Sequence, residues 1–191
     1  MRKIFFIISI FISALSLSGQ EVIWKITYDI GIPFSSTKEY TDQVSWRGIA
    51  FDVDRFINDN LAVGLGISWS TFLEKEPDSD YQRDDMLIHG TQVRYINNIP
   101  LLARISWYQP SGDFDTYFTV GVGTVWQDLR REIGLWAFGD DYWQFALSPE
   151  AGIIFPVGQT YITGKIRYMQ GFKTSDAPGL SYMAFGLGIA F

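Results

Sequence analysis

Apolar and polar residues alternate along most of this chain, and the alternation comes in blocks. The last block is the clearest. From Tyr182 to Phe191 the odd positions Met183, Phe185, Leu187, Ile189 and Phe191 are large and apolar, and Ala184, Gly186, Gly188 and Ala190 between them are small. A strand turns successive side chains to opposite faces, so one face is greasy and the other narrow. Eight such blocks are predicted as strands, at about 21–34, 45–57, 61–72, 91–108, 116–128, 143–155, 159–172 and 181–191. The gaps between them alternate. Those at 35–44, 73–90, 129–142 and 173–180 are long, and those at 58–60, 109–115 and 156–158 are short. The fourth block contains Pro100 but keeps one parity from Val93 to Trp107, so it is predicted as a single strand with a bulge at the proline.

Parity sorts the chemistry. One face carries Val22, Ile26, Leu65, Ile67, Val120, Val122, Phe145, Ile153 and Ile166, among others. The other carries Lys25, Asp29, Asp52, Asp54, Arg94, Arg104, Glu150, Lys165 and Arg167, with many Gly, Ser, Thr and Ala. Arg47 and Arg55 break the rule near the ends of the second strand, where long side chains can snorkel. A soluble barrel would hide the apolar face inside, and a membrane barrel turns it to lipid. The aromatic residues decide between the two. Trp24, Trp107, Phe118 and Phe155 fall near one set of strand ends, and Trp69, Tyr95, Trp126, Trp143, Tyr168 and Phe172 near the other. Two aromatic rims on an apolar face match the headgroup levels of a bilayer. The expected fold is an all-β, eight-stranded antiparallel up-and-down transmembrane β-barrel. Both mature termini are expected in the periplasm, and the charged face in a lumen filled by side chains.

The N-terminus fits an exported protein. Arg2 and Lys3 precede an apolar run from Ile4 to Leu15, and small residues follow, with cleavage expected after Ser18 or Gly19. The domain reading is a signal peptide over 1–19 and one barrel domain over 20–191. The sequence has no cysteine, so neither a lipidated N-terminus nor a disulfide is available. Net charge is −6, and −8 once Arg2 and Lys3 leave with the signal, which argues against nucleic acid as a partner.

The signal, the eight-strand pattern, the segment Ile99-Pro100-Leu101-Leu102-Ala103-Arg104, the Gly-rich strand Tyr117–Val125 and the terminal Phe191 resemble the small outer-membrane β-barrel family of Gram-negative bacteria, the porin-like OmpA/OmpX-type group. The resemblance implies outer-membrane lipid as surroundings. It also implies recognition of the last strand, with Phe191 as assembly signal, by the outer-membrane assembly machinery. It brings no catalytic residue and no cofactor.

The remaining motifs have plain readings. Val63-Gly64-Leu65-Gly66, Val120-Gly121-Val122-Gly123 and Phe185-Gly186-Leu187-Gly188 lack the third glycine and helix of a nucleotide site. They are read as inward glycines that make room for charged side chains on neighbouring strands. His89, the one histidine, has no nucleophile or acid legible around it and is read as a loop residue at the outer rim. Glu74, Glu76, Asp78, Asp80, Asp84 and Asp85 form an acidic stretch without EF-hand spacing, so no metal site is assigned. Leu135, Trp136, Ala137 and Phe138 are apolar in a predicted external loop and are expected to pack on the barrel rim. The functional expectation is a non-enzymatic barrel with a structural or partner-binding role through its external loops. A narrow pore and a lipid-modifying enzyme are the alternatives.

Overall fold

The computed structural model describes residues 21–191 except 84, 85, 135, 159 and 176, with backbone only for 78–88. The signal expected over 1–19 lies outside the described residues. Eight strands run in chain order: β1 (Val22–Pro33), β2 (Arg47–Phe56), β3 (Leu61–Arg83), β4 (Met86–Pro110), β5 (Asp115–Ile133), β6 (Trp136–Val157), β7 (Thr160–Gly171) and β8 (Leu180–Ala190). A six-residue helix, α1 (Ser35–Tyr40), follows β1. Each strand pairs antiparallel with the next, and β1 pairs with β8, closing a barrel. Closure leaves no sheet edge within the ring, which is what permits strands to face lipid.

The period-two pattern sets which way each side chain points. Leu187 (67 % exposed), Ile105, Phe145 and Ile166 stand on the outer wall, and their strand neighbours, Gly188 apart, are buried inside. Trp107 lies opposite Leu61 on one side and Phe118 on the other, in the rim that also holds both chain ends. At the far rim Ile99 lies opposite Trp126, which in turn lies opposite Trp143. On β4 the apolar band from Ile99 to Trp107 is nine residues long, as a tilted membrane strand requires. Just beyond it the outer wall turns polar. Thr71 Oγ1 donates to Asn97 Oδ1 at 2.7 Å, and Asn97 Nδ2 donates to Asp128 Oδ2 at 3.3 Å. Arg130 pairs with the same carboxylate at 3.1 Å. Asn97, the polar exception on this face of β4, is therefore satisfied by its neighbours across the sheet.

Two expectations about elements are corrected. Pro100 makes no bulge. Ile67 opposite Leu101 and Ser70 opposite Asn98 belong to one register, and only the pairs between them are missing. The strand drops ladder bonds toward β3 and keeps an unbroken register toward β5. The one register shift on this hairpin lies between Glu76 and Ser79. Second, the predicted loops 73–90 and 129–142 are strand. β3 has 23 residues and β4 has 25, over twice a membrane span. With β5 and β6 they form a four-stranded sheet that continues past the far rim. His89 therefore sits in β4, opposite Asp80, and not in a loop. Trp136, Ala137 and Phe138 belong to β6 rather than to a segment packed on the rim, and Trp136 is 53 % exposed. Leu135, Asp84 and Asp85 lie outside the described residues.

Candidate functional site

The lumen is filled in three layers. Nearest the chain ends, Ala62, Tyr108, Tyr117, Ile154 and Ala190 pack together with Ile23 and Phe56 against them. In the far half, Phe72, Ile96, Leu102, Val125, Met169, Leu180 and Tyr182 form an apolar core with Tyr40 of α1 packed on it. Between the two lies a layer of charge.

That layer draws on alternate parts of the ring. β1 supplies Lys25 and Asp29, β2 Asp52 and Asp54, β4 Arg104, β6 Glu150, and β7 Lys165 and Arg167. Arg104 is the hub: it donates to Asp52 and to Glu150 at 2.9 Å each, and to Asp54 at 3.4 Å. Arg167 donates to Asp52 at 2.7 Å and to Glu150 at 2.5 Å. β2 and β6 stand opposite each other in the ring, so two guanidinium groups span its diameter. Lys165 reaches Asp52 at 3.1 Å and Asp29 at 3.6 Å. Lys25 donates to Asp54 at 2.7 Å and to the Tyr108 hydroxyl at 2.9 Å, and lies 4.0 Å from the Tyr117 ring centroid. Thr27 donates to Asp29 at 2.6 Å, and Tyr108 donates to Asp54 at 2.7 Å. Four acids and four bases thus balance in a layer with at most 7 % side-chain exposure. Unpaired charge at such burial would be costly, and mutual pairing with added hydrogen bonds offsets the cost.

Arg94 is not in this layer. It lies higher, in the projecting sheet, where it pairs with Glu76 and, at 3.6 Å, with Glu74. The remaining eight charged residues of the sequence reading form the connected set just described.

The three Gly-x-Gly segments occupy strands that contribute no charge to the layer: β3, β5 and β8. Gly64 lies opposite both Asp54 and Arg104, and Gly186 opposite both Asp29 and Lys165. A Cβ on Gly66 would stand 2.5 Å from Asp52 Oδ1 and 2.9 Å from Arg104 Cδ, and one on Gly186 2.4 Å from Asp29 Oδ1. At Gly64, Gly66 and Gly186 the volume a side chain would take is filled by charged side chains of neighbouring strands. On β5, by contrast, a Cβ at Gly121 would meet the Leu102 side chain and one at Gly123 the Leu101 carbonyl, so the expectation of room for charge does not hold there.

The far mouth is covered. Ser181 N–H donates to Thr37 Oγ1 and Ser181 Oγ to the Phe34 carbonyl, both at 2.8 Å, which ties α1 to β8. Gln144 Nε2 donates to the Pro178 carbonyl at 2.7 Å, drawing the segment after β7 across the opening.

No family model matches the chain, and no curated protein matches it. Solved structures do. The attachment invasion locus protein Ail of Yersinia pestis superposes with a TM-score of 0.50 at 10% identity, over 90% of this chain and 97% of Ail. The outer membrane protease OmpT of Escherichia coli gives 0.53 at 9% identity, over 92% and 99%. This is the fold of outer-membrane β-barrels. Identities this low establish architecture and transfer no activity.

The aromatic residues of the sequence reading stand on the outer wall at both rims. Trp24, Trp69, Trp107, Phe118, Trp143, Phe155 and Phe172 are exposed, as is Phe191, while Tyr95, Trp126 and Tyr168 are half-buried. Rings pair between neighbouring strands, as in Trp107–Phe118 with centroids 6.3 Å apart and Phe145–Phe172 at 5.6 Å. The sequence reading missed Trp46, 65 % exposed, because within the predicted 45–57 strand it has the inward parity of Asp52 and Asp54, whereas β2 begins only at Arg47 and leaves it outside the strand. It also missed the apolar far half of the lumen. Phe72, Ile96 and Met169 follow the inward parity, and that was the available signal.

Proposed function

We propose that this chain is an integral outer-membrane protein that engages partners through the sheet projecting from its far rim, without enzymatic activity. In this reading residues 1–19 direct export, both mature termini are periplasmic, and the last strand ending at Phe191 is what the assembly machinery recognises. The filled lumen argues for a scaffold over a pore.

One observation carries the partner-binding reading: among the described residues, no strand pairs with β6 on its β7 side beyond Phe145. β7 ends at Gly171, and Phe172 N–H donates to the Phe145 carbonyl in the backbone bond just past it. Trp136–Trp143 therefore runs without a ladder partner on that side among the described residues. The other edge of the projecting sheet, on β3 beyond Thr71, is guarded by Glu74, Lys75 and Glu76, by Pro77 and by the register shift after Glu76. Prolines, charges and bulges discourage strand addition. β6 has none of the three blocks in this stretch save Asp140 and Asp141, and those two acids favour a basic partner strand.

Two measurements test the reading. The chain has no cysteine, so single-cysteine variants report topology directly. Ala137→Cys should react with a membrane-impermeant maleimide on intact cells, and Asn58→Cys should not; the reverse pattern would invert the barrel. A phage panel of ten-residue peptides should enrich basic, alternating sequences on the detergent-solubilised protein. Gly139→Pro should lose them, and failure to enrich any would remove the strand-addition reading.

A further inference from the structure

Each carboxylate of the middle layer faces a cation. The mouth that holds both chain ends is built differently. A cavity of about 430 Å³ opens there beneath Tyr108. Phe56, Tyr108 and Ile154 give it an apolar, largely aromatic inner wall. Glu21 ahead of β1, Asp59 in the β2–β3 turn and Asp115 at the start of β5 place three carboxylates around it. Among the described residues, no lysine or arginine lines it. Arg55 precedes Phe56 and so points to the opposite side of β2. Asp59 and Asp115 form no ion pair among the described residues.

The protein shows next door what these groups hold. On the inner side of Tyr108, the Lys25 ammonium rests on two tyrosine rings, 4.0 Å from the Tyr117 centroid and 5.3 Å from that of Tyr108, with Asp54 as its counterion. Aromatic faces with a carboxylate make an ammonium cage. Tyr108 belongs to that cage and to the cavity below it.

We propose that this cavity binds a small organic cation, an alkyl- or aryl-ammonium. Its carbon skeleton lies on Phe56, Tyr108 and Ile154, and its charge meets Asp59 and Asp115. The volume falls in the range of small-molecule sites. An inorganic ion would leave the apolar wall without contact, and a neutral apolar ligand would leave the carboxylates without a counterion. An amphipathic cation satisfies both. The inference is independent of the projecting sheet.

The test is a calorimetric titration of the full mature chain in neutral detergent at low ionic strength, with micelle blanks, using methylammonium, hexylammonium and hexanoate. Hexylammonium should bind saturably at one site, at least tenfold more tightly than methylammonium, and hexanoate should not bind. The double variant Asp59→Asn/Asp115→Asn should weaken hexylammonium at least fivefold, and Glu74→Gln on the distant sheet should leave it unchanged. Both rim acids lie outside the packed layers, and heat-modifiable gel migration verifies that the variant folds. Equal binding of methyl- and hexylammonium would reduce the site to a diffuse acidic rim. Equal binding of hexanoate would remove the charge selection, and full affinity in the double variant would place the amine elsewhere. Each of these results, or no binding at all, overturns the proposal.

Discussion

Arg104 touches three carboxylates on two other strands, so its removal strands charge at several points at once. Breaking a buried ionic cluster from one side costs about 3–5 kcal/mol. Arg104→Ala should lower the unfolding free energy in lipid by that amount, read as a shift in urea midpoint. A change under 1 kcal/mol would mean that water enters the layer and screens it. The glycines make the complementary case. Gly66→Ala adds one methyl group where Asp52 Oδ1 already stands, 2.5 Å from the added carbon. Overpacking of this kind costs about 1–3 kcal/mol, so one carbon on β3 should destabilise about as much as a lost hydrogen bond to charge. The same urea titration checks it.

At the scale of elements, the barrel and the projecting sheet answer to different physics. Within the bilayer each strand must keep its apolar side outward. Leu187, 67 % exposed on β8, faces lipid, and Leu187→Arg should cost about 2–4 kcal/mol if it sits near the midplane. Unchanged insertion would show that this face does not meet lipid. Beyond the far rim no such demand applies, and the strands are held by ladder bonds. Removing residues 130–139 from the β5–β6 hairpin should therefore leave membrane insertion and heat-modifiable migration intact. Loss of the folded band would show that the hairpin is needed to close the ring. The same difference explains why the hairpins were not legible as strand. With water on both sides, Glu74-Lys75-Glu76 and Asp140-Asp141 need not alternate in polarity, and the period-two signal fades while the pairing continues.

For the whole molecule, three packed layers and a covered mouth fill the axis among the described residues. Planar-bilayer recordings should show no stable conductance. Steady channel openings would keep the fold and move the function to the pore alternative. The same closure makes the two mouths chemically distinct: one is capped by α1 and the segment after β7, the other opens as an apolar cavity with an acidic rim. A ligand approaching from either side meets a different surface, so binding at the two ends should be separable by mutation.

The sequence by itself determined the strand order, the number of strands within the ring and the face that residues inside those strands take. These follow from local alternation, because a residue's exposure to lipid depends on its own strand's parity and on nothing further away. It also set Trp24, Trp107 and Trp143 on the outward parity, where they are exposed. Only the tertiary structure decided which charges meet. Arg94 and Arg104 share a strand and a parity, yet one pairs with Glu74 and Glu76 in the projecting sheet and the other bridges Asp52, Asp54 and Glu150 in the lumen. The partners of Arg94 stand across its own hairpin, Glu74 directly opposite, whereas those of Arg104 come from β2 and β6 at heights fixed by the stagger of the closed ring, and no local pattern encodes that stagger. The apolar far half of the lumen and the cavity under Tyr108 have the same origin: each is a space enclosed by side chains from several strands, and it exists only once the ring has closed.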